Sequence, residues 1–352
     1  GDEERRLRGR LEREEREERE ERDQIREQMR TLSEREEREE REVAIDVTAR
    51  SWAEVADLVR TSSAPAQLCL AAGLGEGWDL HGLLVKAEAQ MVVEQFAQLL
   101  LAELQAAFDA EQAPLRLRPY AVIAHSSTSG FIELVSDAPS LHELRRRLGS
   151  ASLTDHFRAT YGERNSPTHV AALGNFAASL AGYAVASYVL QVKDRHNGNI
   201  LLHASGHLVH VDFGFILGDA PGGGLIERAP FKLTKEWVEL LGGGDHDAPE
   251  LRRFRSLCAV GMLAIRRQAH CILGVLEAAA ALVRRGGPTA AALLPCLRGG
   301  DESVVRGVRE RLLLEEDDDA ACRAAERLVD ASADAWGTWA YDAYQRVAHG
   351  IE

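Results

Sequence analysis

The run Gln191-Val-Lys-Asp-Arg-His-Asn-Gly-Asn-Ile-Leu-Leu202, followed after a short return by Val211-Asp-Phe-Gly214, decides how the rest of the chain is read. Between the two lie Asn199 to His203 and His207 to Val211, which read as short strands around an Ala204-Ser205-Gly206 turn. A hairpin of that length brings Asp212 back to the end from which Asp194 and Asn199 departed, so three oxygen-bearing side chains meet there. Transfer of a phosphoryl group needs in-line placement and neutralisation of developing negative charge, and Mg²⁺ on hard oxygen ligands supplies the second. Asn199 and Asp212 suit the metal, and Asp194 suits the attacking hydroxyl. His196 either polarises the nucleophile or the terminal phosphate, or only orients the loop.

Outward from this centre the chain changes character. The apolar stretch Phe176 to Val192 on its amino side predicts a helix buried on most of its faces, and helices are expected again from about Thr234 onward. Upstream, Leu80 to Val85 reads as a strand ending at Lys86, and Gln90 to Ala110 as a long amphipathic helix. Two further strand-like segments follow, Leu115 to Ala124 and Gly130 to Val135, separated by the turn-forming Ser126 to Ser129. A short amphipathic helix is expected around Trp52 to Arg60. Residues 1–42 are almost entirely Glu and Arg in repeated E-R-E-E blocks, with too few apolar positions for a coiled-coil seam, and read as a charged helical or disordered arm.

The order Asp194-Arg195-His196, with Asp194 and Asn199 in D-x-x-x-x-N spacing and Asp212-Phe213-Gly214 beyond, resembles the phosphatidylinositol 3- and 4-kinase superfamily. The longer run Leu190 to Leu202, with His210-Val-Asp-Phe-Gly-Phe-Ile-Leu217 and Phe231-Lys-Leu-Thr234, is similar to its type III 4-kinases of the beta kind. Looser matches extend from Trp52 to the carboxyl end, among them Trp78-Asp-Leu80, Pro119-Tyr120, Ser152 to Phe157 and Tyr341 to Tyr344. The resemblance implies an α+β, bilobal protein-kinase-like fold, with a small mixed N-lobe at 43–136 and a larger, mainly helical C-lobe at 137–352. It also implies ATP as phosphoryl donor, with Lys86 gripping the phosphates and Glu94 holding that lysine by an ion pair. Tyr120 falls in the nucleotide site, and backbone groups near Glu133 and Val135 would meet the adenine edge. The stretch Ala87-Glu-Ala-Gln-Met91 departs from the Gly-Asp-Asp-Leu-Arg-Gln-like pattern of the family. A phosphate-covering loop is hard to find before Trp52, Ile45 to Ser51 being the sole candidate, so the N-lobe reads as incomplete.

Substrate class follows from charge. The net charge of −14 over 352 residues argues against nucleic acid, which requires a basic footprint. The segment Phe213 to Trp237, expected to meet the lipid headgroup, carries Asp219, Glu227, Arg228, Lys232, Lys235 and Glu236, a balance of signs. A headgroup with additional phosphates would need a cationic cluster, so unphosphorylated phosphatidylinositol is the favoured substrate and its 4-hydroxyl the acceptor by resemblance. Gly222-Gly223-Gly224 makes this loop supple, as a lid or as a plain linker. No stretch reaches the roughly 20 apolar residues of a membrane span. Trp336, Trp339, Tyr341 and Tyr344 at helical spacing suit either a membrane-contacting face or core packing. Five scattered cysteines suggest neither zinc nor disulfides, so a cytoplasmic, peripherally membrane-associated protein is expected, at the Golgi or another endomembrane by resemblance. Two other readings stay open, a related protein Ser/Thr kinase and a catalytically weak kinase-fold scaffold.

Overall fold

The computed structural model describes residues 83–87, 90–126, 128–221, 229–243 and 248–333, all within the compact unit that spans 43–352. The charged arm, the Trp52 helix, the Ile45 to Ser51 loop, the glycine run at 222–224 and the carboxyl-terminal aromatic residues lie outside the described residues.

A small three-stranded antiparallel sheet opens the fold. Strands β1 (Leu83–Lys86), β2 (Val122–Ser126) and β3 (Ser129–Glu133) are arranged in the order β1-β3-β2. Leu84 and Val122 both pair with Ile132, and Lys86 pairs with Gly130, so Lys86 shares its face with the buried Val122 and Ile132. Gly130 is required there, because a Cβ would lie 2.6 Å from Met91 Cε and 2.7 Å from the Ile123 carbonyl. Helix α1 (Met91–Ala110) carries Val93, Ala97, Leu100, Leu104 and Phe108 on one apolar stripe and packs against β2 and against helices of the larger part.

The expected strand from Leu115 is shorter than predicted. Regular pairing begins only at Val122, because the backbone donors before it are committed to side chains of the helices beneath: Leu117 N–H to Gln105 Oε1 (2.6 Å), Arg118 N–H to the Tyr183 hydroxyl (3.2 Å) and Tyr120 N–H to Gln98 Oε1 (3.1 Å). Pro114 and Pro119 have no donor to offer.

The larger part is helical. Helices α2 (Leu141–Leu148), α3 (Leu153–Tyr161) and α4 (Pro167–Leu190) start at Ser140, Ser152 and Ser166, whose hydroxyls each accept the backbone N–H three residues on, and Ser152 with Asp155 completes a reciprocal capping box. Past the α4 carboxyl end come strands β4 (Ile200–Leu202) and β5 (Leu208–His210), then α5 (Lys235–Gly242), α6 (Pro249–Arg267), α7 (Ala269–Leu293), α8 (Glu302–Arg311) and α9 (Asp318–Ala333). Gly287 breaks α7 with a φ of 63°, just before Pro288.

Helix α4 is the axis of this part. Contrary to the expectation that no stretch is long and apolar enough to span a membrane, α4 reaches that length and composition, yet most of it is enclosed by α6, α3 and the β4–β5 hairpin. Its few polar side chains have assigned tasks. Asn175 Nδ2 donates to the Ser205 carbonyl at 2.8 Å, and Ser179 Oγ accepts the Leu208 N–H at 2.8 Å, so the helix seats the hairpin through two directed bonds. The hairpin turn closes on α4 at Gly206, with φ +89° and an imaginary Cβ 2.6 Å from the Ala172 carbonyl. Gly206→Ala combines left-handed strain with a backbone clash, and is expected to cost about 2–3 kcal/mol of stability. The measurement is the urea midpoint; an unshifted midpoint would show that the turn does not rest on α4.

Candidate active site

The carboxyl end of α4 leads directly into the loop that bears Asp194 and Asn199. Gln191 ends the helix in the left-handed region (φ 49°), and Leu217 N–H returns to the Leu190 carbonyl at 2.7 Å, so the loop runs beside the segment after Asp212. Asp194 follows with φ 63° and Asp212 with φ 60°, two non-glycine residues in a conformation that costs about 1–2 kcal/mol each for most side chains. Their surroundings hold them there. Asn199 Nδ2 donates to the Asp194 carbonyl (3.0 Å) and to Asp194 Oδ2 (3.3 Å). Arg195, only 1% exposed, donates from Nε to the Lys193 carbonyl (2.9 Å), from Nη1 to the Val211 carbonyl (2.7 Å) and from Nη2 to the Asp212 carbonyl, and lies 5.0 Å over the Phe213 ring.

His196 is oriented with equal economy. Its Nδ1 accepts the Gly198 N–H at 3.0 Å, which leaves the proton of the neutral ring on Nε2, 3.9 Å from Asp194 Oδ1. Burial, together with the nearby Arg195 and Lys232 cations, outweighs the Asp194 and Asp212 charges and drives its pKa down to about 4. The imidazole is therefore neutral near pH 7.

On the other side of the centre, Lys86 Nζ is 3.2 Å from Asp212 Oδ2. Burial pushes the Asp212 carboxyl up, but the charges of Lys86 and Arg195 and the Lys86 hydrogen bond more than offset it, and the group sits below its ordinary value. Among the described residues no ion pair joins Glu94 to Lys86 as expected, although the lysine charge still acts on the glutamate. Glu94, 3% exposed, instead accepts the Tyr120 hydroxyl, the Phe213 N–H and Gln98 Nε2 (3.4 Å), while the Tyr120 oxygen accepts the Asp212 N–H at 3.1 Å. The α1 glutamate thus fixes the Asp212-Phe213 backbone, and the lysine meets the aspartate. Burial, then the Asp212 charge, raises Glu94 to about 7 against the lowering effects of Tyr120, Lys86 and the Phe213 N–H.

Two oxygens remain uncommitted. Asn199 Oδ1 and Asp212 Oδ1 accept no hydrogen bond among the described residues, and both are hard donors of the kind Mg²⁺ takes. No group of three His, Cys, Asp or Glu suited to a metal occurs among the described residues. A cation here would therefore complete its shell with water or with substrate oxygens. At the edge of the small sheet, the Glu133 N–H is committed to the Ala121 carbonyl (2.8 Å) and its carboxylate to the Ala121 N–H (2.9 Å) and Arg118. The buried Val135 has its N–H uncommitted among the described residues. Of the two positions expected at a nucleotide edge, Val135 therefore offers the donor.

Arg195 and Lys232 are parts of this centre to which the sequence reading assigned no role. An arginine between two polar loop residues reads as solvated, and only the return of the hairpin shows that its guanidinium lies under the Asp212 carbonyl.

Against this geometry stand the comparisons with known proteins. Phosphatidylinositol 4-kinase beta 1 of Arabidopsis thaliana is 38% identical over 278 residues, which cover 78% of this chain and 24% of that protein. A phosphatidylinositol 4-kinase of Dictyostelium discoideum is 36% identical over 275 residues (78% and 22%), and phosphatidylinositol 4-kinase beta of Danio rerio 35% over 274 (78% and 31%). The chain thus spans less than a third of the length of these relatives. The family profile described as phosphatidylinositol 3- and 4-kinase matches residues 86–283, from the strand bearing Lys86 through the Asp194 and Asp212 loops into α7. A match over more than half of its length, laid across all the residues that form this centre, makes the chain a member of the phosphatidylinositol 3- and 4-kinase family.

Proposed function

We propose that this chain is a lipid kinase domain that transfers the γ-phosphoryl group of ATP to the 4-hydroxyl of phosphatidylinositol. The observation that carries the reading is the meeting of four groups: Asn199 locking the Asp194 carboxylate at 3.3 Å, and Lys86 against Asp212 at 3.2 Å. Asp194 is the acceptor of the attacking hydroxyl's proton. Neutral His196, with its proton on Nε2, donates toward the oxygen that gains charge, since its Nδ1 is already occupied by Gly198. Lys86 neutralises phosphate oxygens once nucleotide draws it from Asp212. Asn199 and Asp212 would hold Mg²⁺, which supplies charge neutralisation at the transferring phosphoryl group. Val135 offers its N–H to the adenine edge.

The acceptor follows from two supports. Relatives from a plant, an amoeba and a vertebrate carry the name phosphatidylinositol 4-kinase. The segment Phe213 to Trp237 balances its charges and so lacks the cationic cluster that a polyphosphorylated headgroup would call for. Action on a membrane lipid implies a visit to a membrane surface, and we assign the chain to peripheral contact there.

Radiolabel from ATP is expected in phosphatidylinositol vesicles and not in a mixed peptide pool, with the product phosphorylated at the 4-position. Asp194→Asn and Asp212→Asn are each expected to lower that transfer by about 10³-fold or more. Label in peptides alone, or an Asp194→Asn variant as active as the parent, would sink the assignment.

Glu94 contributes a pH dependence whose sign is fixed by its raised pKa. A carboxyl at about 7 when folded and near its ordinary value of 4.5 when unfolded binds its proton more tightly in the native state. Its stabilisation is complete below the lower value and lost as pH rises through the upper one. Glu94→Gln removes this term, so the wild-type urea midpoint should fall between about pH 5 and about pH 8 by more than that of the variant. Parallel midpoints across that window would contradict it.

A further inference from the structure

Lys232 is 7% exposed, and its Nζ donates to Asn197 Oδ1 at 2.9 Å. Asn197 opens the single helical turn Asn197–Asn199, between His196 and the metal-suited Asn199. The neighbours of Lys232 are equally sequestered: Phe231 and Leu233 are core residues, and the Thr234 hydroxyl caps α5 by accepting the Trp237 N–H. A second lysine works in the reverse direction, Lys193 of the catalytic loop donating from Nζ to the Ala229 carbonyl at 3.3 Å, while its own N–H holds the Phe215 carbonyl at 3.0 Å. The strap Ala229–Thr234 is therefore fastened to the catalytic loop by two crossed ammonium contacts and to α5 by a cap.

Burying an ammonium is costly unless it meets acceptors, and an unbranched apolar side chain would fill the same space without that cost. An ammonium kept at this position is consequently a device for orientation. Among the described residues Lys86 and Glu94 are the groups that bond Asp212 and Phe213 on the nucleotide side, whereas the Lys232 ammonium bonds Asn197. What it orients is the Asn197 turn and the strap itself, which belongs to the segment expected to face the lipid. Resting on the lipid-kinase reading above, we propose that Lys232 is a positioning residue for the lipid acceptor: its bond to Asn197 latches the acceptor-side strap to the catalytic loop and sets the inositol ring against Asp194.

The latch predicts a split between the two substrates. With the whole chain, ATP, and vesicles of phosphatidylcholine containing phosphatidylinositol, Lys232→Met is expected to raise the KM for phosphatidylinositol about tenfold while the KM for ATP stays within about twofold. Asn197→Leu breaks the same bond from the other side and should give the same split, so the test survives if Lys232→Met does not fold. The double variant should be no worse than the poorer single variant by more than about twofold, since the two residues act on each other. Lipid KM values unchanged in either variant, or ATP KM values rising in step with them, would overturn the latch while leaving the functional reading intact. A wild-type chain that transfers nothing to these vesicles would overturn the functional reading, and the latch with it.

Discussion

The whole centre depends on holding two aspartates in a backbone conformation that neither would choose. Asp194 and Asp212 have φ values of 63° and 60°, and each is placed by a side chain from elsewhere rather than by a turn of its own. Arg195 is the chief restraint, a buried guanidinium that ties the Lys193 carbonyl of one loop to the Val211 and Asp212 carbonyls of the other. Charge-assisted bonds of this kind contribute about 1.5–3 kcal/mol each, enough to outweigh the strain at both aspartates. The two aspartyl side chains are held together because the backbone beneath them is turned back.

Around that restraint the fold is arranged as support. Helix α4 is apolar on nearly every face, yet Asn175 and Ser179 make its bonds to the hairpin directional, which fixes the register of β4 and β5 and therefore the return of Asp212. From the opposite side, α1 reaches the same point through Glu94, whose oxygens take the Tyr120 hydroxyl and the Phe213 N–H. The small sheet then contributes Lys86 from a face it shares with buried residues, so the lysine leaves the core already aimed at Asp212.

Much of this could be read in the chain itself, and the remainder was hidden for identifiable reasons. The spacing of Asp194, Asn199 and Asp212 around a turn at Gly206 gave both hairpin and centre, because hairpin geometry depends on local sequence alone. The strand expected from Leu115 failed for the opposite reason: its donors are captured by Gln98, Gln105 and Tyr183, residues 12 to 65 positions away, and no local pattern announces that competition. Lys86 and Glu94 do both reach Asp212 and its neighbours, Lys86 at the Asp212 carboxylate and Glu94 at the Phe213 N–H, but they do so separately and not as the expected pair. Pairing a lysine with one of two nearby carboxylates is a matter of Ångström-scale placement, and here Tyr120 and the Phe213 N–H occupy Glu94 first. Arg195 and Lys232 lie within the quoted motifs, but nothing in the local sequence shows that their side chains turn inward, because charge in a loop normally means solvent.

Lys86 and Arg195, the cations that act on Asp212, also give an acidic chain a local positive field suited to a polyanion. The net charge of −14 resides on the whole sequence, whereas Lys86 and Arg195 reach Asp212, and Arg195 with Lys232 acts on His196. Field in a low-dielectric interior is set by the nearest charges and not by the sum over the surface. Their effect differs with the group they face: Lys86 and Arg195 keep Asp212 ionised despite its burial, whereas Arg195 and Lys232 help keep His196 neutral. Neighbouring positive charges thereby maintain an ionised carboxylate, the form that suits a hard cation, beside a neutral imidazole that can donate a hydrogen bond from Nε2.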